Sequence, residues 1–82
     1  MEEDSMDLVY RLNEHYERFV SEYSRLYQSG NTSLANSLYE TWTFWLLKTA
    51  FHSNDRVVKR YMYNLKDNSD KFVARTKKNE SS

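Results

Sequence analysis

A small all-α protein, either a three-helix bundle or a helical hairpin with an extended third helix, alone or as a dimer, is what three features of the sequence predict. Apolar and aromatic residues recur at alternating steps of three and four from Val9 to Leu26, the spacing that keeps them on one stripe of an α-helix. Proline is absent and glycine occurs once, at position 30, whereas an all-β fold would need many tight turns rich in those residues. Turn-forming residues cluster in two places, Gly30-Asn31-Thr32-Ser33 and His52-Ser53-Asn54-Asp55, which suits two or three long helices joined by short connections.

The first helix is expected over residues 6–28, after a short acidic arm at 1–5. Its stripe is Val9, Leu12, Tyr16, Phe19, Tyr23 and Leu26, with Arg11, Arg18 and Arg25 repeating every seven residues beside it. Asp7 and Glu14 precede Arg11 and Arg18 by four residues, the favourable order for helix ion pairs worth ~0.2–0.5 kcal/mol each. Asp4 is a candidate N-cap, and the acids around it suit the positive end of the helix dipole. Gly30 stops the helix as a left-handed cap. The heptad spacing admits a coiled-coil seam, but Tyr at two seam positions favours a helix of a globular bundle, with rings inward and hydroxyls at the rim.

The second helix is expected over 33–51, capped by Thr32 or Ser33. From Trp42 onward its apolar residues cover most of the circumference, and such a helix must be covered on more than one side. Trp42-Thr43-Phe44-Trp45-Leu46-Leu47 therefore reads as the centre of the fold, an oligomer interface, or both. The third helix is expected over 55–72, capped by Asn54 or Asp55, with Val58, Tyr61, Met62, Leu65 and Phe72 inward and a weak point at Asn68-Ser69. A single bent helix from Ser33 to Phe72 stays open as an alternative. Residues 74–82 are polar and read as a disordered tail.

Eighty-two residues make one domain, here spanning 6–73, with a thin core. No cysteine is present, so neither a disulfide nor a thiolate metal site can staple it. Self-association or a partner is the remaining source of extra burial. No apolar run approaches the ~18 residues of a membrane-spanning helix. The start, Met1-Glu2-Glu3-Asp4, is acidic where a secretory leader is basic, so a cytoplasmic protein is expected, and the chain reads as a complete small open reading frame.

The formal net charge is zero, yet residues 1–41 hold eight acids against three bases and residues 42–82 nine bases against four acids. Such a lengthwise dipole lets opposite ends attract, within a molecule or between molecules.

No catalytic constellation is present in the sequence. There is no Cys nucleophile, no His-Glu-x-x-His or Glu-x-x-His pattern, and no glycine-rich phosphate loop. His15 reads as a half-buried residue at a helix edge and His52 as a helix C-terminal cation or an exposed ring. The chain is therefore expected to be neither an enzyme nor a cofactor binder.

Two surfaces are candidates for binding. Thirteen Phe, Tyr and Trp residues exceed what a small core easily hides, and aromatics with Arg are what protein interfaces concentrate. Tyr39, Trp42 and Trp45 are the expected contact residues for a protein partner or a second copy. A regulator, an adaptor or a phage-type inhibitor of host machinery is the class that stand-alone proteins of this size suggest. The alternative is nucleic-acid binding through Arg56, Lys59, Arg60, Tyr63 and Lys66, which share one side of the third helix. Asp67 and Asp70 interrupt that stripe and the whole chain is neutral, both of which count against it; an acidic protein would be another match for the same face.

Overall fold

A computed structural model describes residues 3–81, with the side chains of residues 6–78. It is a three-helix bundle: α1 (Glu3–Gln28), α2 (Thr32–His52) and α3 (Arg56–Ser81), packed into a rod 47 Å long and 19 × 18 Å across. Each helix touches both others.

The connections follow local chemistry. Gly30 takes φ +88°, and around it Asn31 N–H donates to the Leu26 carbonyl at 2.8 Å and Gly30 N–H to that of Tyr27 at 3.2 Å. These are the two bonds of a Schellman motif, which satisfies the carbonyls that a helix end leaves open. Asn31, rather than Thr32 or Ser33, is the N-cap of α2, and its side chain makes no capping bond. The cap thus lies one residue before the first hydroxyl-bearing candidate, directly after Gly30. At the second break Ser53 is extended, and the Asp55 carboxylate accepts from Val57 N–H at 2.9 Å and Val58 N–H at 3.3 Å. Asp55 thus caps α3, and α2 and α3 are separate helices rather than one bent rod.

At the front, α1 is already helical at Glu3. Asp4 therefore lies inside the helix and is not its cap; residues 1 and 2 of the expected acidic arm lie outside the described residues. Asp7 pairs with Arg11 at 3.5 Å.

The core has two lobes. Leu12, Leu46, Ala50, Val58, Met62 and Leu65 form one, and Phe19, Tyr23, Ala35 and Val73 the other; Tyr16 and Trp42 pack against both. The stripe of α1 supplies both lobes, as its periodicity predicts. The Trp42 indole N–H donates to Ser69 Oγ at 2.8 Å, and Ser69 Oγ–H donates on to the Leu65 carbonyl at 2.7 Å. Ser69 is fully buried. The expected weak point at Asn68-Ser69 is thus a point of attachment: a small hydroxyl residue lets α2 approach and gives the indole an acceptor. Helix α3 also continues well past residue 72, because Val73 is buried in the second lobe and anchors it. Thr76 adds a bond to the Phe72 carbonyl at 2.9 Å. The segment expected as a disordered tail is helical as far as Ser81, and residue 82 lies outside the described residues.

One buried group has an unmet need. The Tyr23 ring is fully buried, stacked on Tyr27 at 5.7 Å and edge-on to Phe72 at 5.6 Å, and its hydroxyl finds no hydrogen-bond partner among the described residues. Burial first, and Tyr27 second, pushes its pKa above the ordinary phenol value.

Candidate functional site

An aromatic column rises from the core to the surface between α1 and α2. Phe19, at its base, is 4% exposed. Trp42 stacks on Phe19 with ring centres 5.7 Å apart and planes 17° from parallel. Trp45 stacks on Trp42 at 5.9 Å and 19°. The top ring, Trp45, is 42% exposed, and His15 of α1 meets it edge-on at 6.4 Å. Each ring is held by the one beneath it, and Trp42 is further tied to α3 through Ser69.

Shallow hollows flank this ledge. One is bordered by His15, Leu38, Thr41, Trp42 and Trp45, and Arg18 and Glu22 extend its rim. On the far side of Trp45 another runs over Leu8, Val58 and Met62 toward Lys48 and His52. The ledge is apolar in its floor and polar at its edges, the anatomy of a protein contact surface.

Of the three expected contact residues, Trp42 and Trp45 are brought together and Tyr39 is not. Tyr39 turns toward α3, where its hydroxyl donates to Asp70 at 2.5 Å. Lys66 closes the same cluster with an ion pair to Asp70 at 2.7 Å. Burial would raise the Asp70 pKa, but hydrogen bonds from Lys66 and Tyr39 and the Lys66 charge outweigh it and hold the carboxyl below its ordinary value. The bond to Asp70, followed by burial, pushes the Tyr39 phenol up to about 12. These are clamps between α2 and α3.

The basic surface changes accordingly. Arg56, Lys59, Arg60 and Tyr63 gather around a hollow with Val57, whereas Lys66 lies outside it, committed to Asp70. Among the described residues, all that line this hollow belong to α3. Asp67 on the same helix pairs with Lys71 at 3.2 Å. Among the described residues no helix is long and apolar enough to cross a membrane, and no three His, Cys, Asp or Glu side chains cluster as metal ligands would.

His15, Leu38 and Thr41 belong to the ledge without having been expected there. Leu38, Thr41 and Trp45 are spaced three and four apart, a signal hidden because α2 carries apolar residues at nearly every azimuth. His15 is exposed beside Trp45 rather than half-buried. Comparison with protein-family models, with curated proteins and with solved structures brings no match.

Proposed function

We propose that this chain is a non-catalytic protein-interaction module whose protein partner lays an apolar segment against the Trp42–Trp45 ledge, acting as a regulator or inhibitor by occupying that partner. The stacked column carries this reading. An exposed indole normally loses rotamer freedom on binding, at a cost of ~0.5–1.5 kcal/mol per ordered side chain. Here Trp45 is already fixed by Trp42 and His15, so a partner gains a large apolar contact with little further ordering. Trp is also the residue most enriched among binding hot spots. The rim charges Arg18, Glu22 and Lys48 would set orientation. A cytoplasmic setting is part of the proposal, since a chain without cysteine needs no oxidising compartment.

Affinity capture with wild type and Trp45→Ala side by side tests it. The expected partner is retained by wild type and lost, by at least ~10-fold in affinity, with Trp45→Ala. A partner held equally by both places the contact elsewhere.

The second reading, nucleic-acid binding by Arg56, Lys59, Arg60 and Tyr63, is favoured by their clustering around one hollow. It predicts binding that weakens steeply with salt and is abolished in Lys59→Glu/Arg60→Glu. Apolar docking on the ledge changes little with salt.

A further inference from the structure

Helix α2 carries a second apolar stripe that the ledge does not use. Phe44, Leu47 and Phe51 are 66%, 41% and 73% exposed, and they follow one another by three and four residues. At about 100° per residue they fall within an arc of roughly 60°, on the side of α2 away from Leu46 and Ala50, which are fully buried. Trp45 points well to one side of this arc, so the Phe44–Leu47–Phe51 stripe is distinct from the indole ledge, which it adjoins at Thr41 and Lys48.

The acidic and basic residues of α2, Glu40 and Lys48, stand four residues before and four residues after Phe44. Both are exposed, and neither forms an ion pair among the described residues. Eight residues apart, they are separated by about 12 Å along the helix and do not reach each other.

We propose that this face pairs with a second copy of the chain, α2 against α2, antiparallel about a two-fold axis at Phe44. An isologous contact must be self-complementary, and this register is. Residue 44 + n on one copy lies level with residue 44 − n on the other. Phe44 meets its own copy, and Lys48 lies level with Glu40 of the second copy, twice by symmetry. Leu47 lies level with Thr41 and Phe51 with Ser37, so large side chains face small ones. Parallel pairing would instead set Glu40 against Glu40 and Lys48 against Lys48. Sliding the antiparallel register removes both opposite-charge matches. A single helix face buries less than the ~800 Å² per partner of a standard stable interface, so the dimer is reversible and concentration-dependent.

Sedimentation equilibrium of the full chain, over concentrations up to the order of 1 mM, tests it. Wild type is expected to shift from monomer to dimer. Phe44→Glu is expected to raise the dimer dissociation constant by at least about tenfold, and Phe51→Ser to weaken it in the same direction, with the helical circular-dichroism signal of both unchanged. Glu40→Lys alone is expected to weaken the dimer about threefold, and Glu40→Lys/Lys48→Glu to restore it; restoration is the mark of the antiparallel register. A chain that stays monomeric throughout, a dimer indifferent to Phe44→Glu and Phe51→Ser, or a charge swap that fails to restore what Glu40→Lys removes would overturn the proposal. Trp45→Ala is expected to leave dimerisation intact, and Phe44→Glu to leave capture of the ledge's partner intact, so failure of either idea is read separately from the other.

Discussion

Helices α2 and α3 pack against the same core, yet their outer faces differ in kind. Outward from α3 come Arg56, Arg60, Asp67 and Lys71, with Tyr63 and Val57 among them; outward from α2 come Phe44, Leu47 and Phe51, flanked by one acid and one base. The difference shows how far a thin bundle can cover its own apolar surface. A helix with one apolar stripe spends it on the core and leaves the rest to solvent. A helix that is apolar nearly all round has more faces than two neighbours can cover, and the uncovered ones are what a further molecule can meet.

The contrast breaks first at Trp42, where the two helices are joined. Trp42→Ala removes the ring that packs against both core lobes and is expected to cost ~3–5 kcal/mol, read as a lower midpoint in urea unfolding. A value near zero would mean that the lobes hold without it. Ser69→Ala comes next. It leaves the half-buried indole N–H without its acceptor, and the expected loss is ~1–3 kcal/mol.

A smaller effect follows pH through the Tyr39–Asp70–Lys66 clamp. Asp70 has a folded pKa below its unfolded one, so its stabilisation is present above the ordinary carboxylate range, about pH 4, and is lost as pH falls through the folded value. Tyr39 is raised from 10.0 to about 12, so its stabilisation is present below pH 10 and disappears as pH climbs toward 12. Burial raises Tyr23 and Tyr61 as well, which steepens the alkaline limb. Thermal melts across pH should show both limbs, with Asp70→Asn flattening the acid one and Tyr39→Phe the alkaline one. Limbs as steep as those of wild type in both variants would remove the clamp from the account.

Tyr23→Phe is expected to be neutral or to gain up to ~1 kcal/mol, since it deletes a buried hydroxyl that has no partner among the described residues while keeping the ring. Smallest of all, Phe44→Ser should leave monomer stability within ~0.5 kcal/mol of wild type, the same as Lys71→Ser on α3. A large loss with Phe44→Ser would show that the outer face of α2 is core after all, and would erase the comparison.

Much of the bundle was legible in advance where one local rule acted alone. The α1 stripe, the Gly30 stop and a cap at Asn54 or Asp55 each depend on spacing or backbone preference within a few residues. The ledge was only half legible. Trp42 and Trp45 stood out as large aromatics, but Tyr39, equally prominent, is drawn away by Asp70, thirty-one residues downstream. Nothing near Tyr39 in sequence announces that bond. Ser69 and Val73 were obscured in the same way: a serine beside an asparagine, and a valine ahead of a polar stretch, read locally as the fraying end of a helix.

What the amino-acid order determined by itself is the all-helical class, the two turn-forming segments, and the inward stripes of α1 and α3, because helical periodicity is set by neighbours three and four residues apart. Only the tertiary structure decided which side of α2 became core and which stayed bare. Its apolar residues point in nearly every direction, so periodicity offers no preferred face. The choice rests on where α1 and α3 lie against it, with the Trp42 indole seated on Ser69 and the Tyr39 hydroxyl on Asp70.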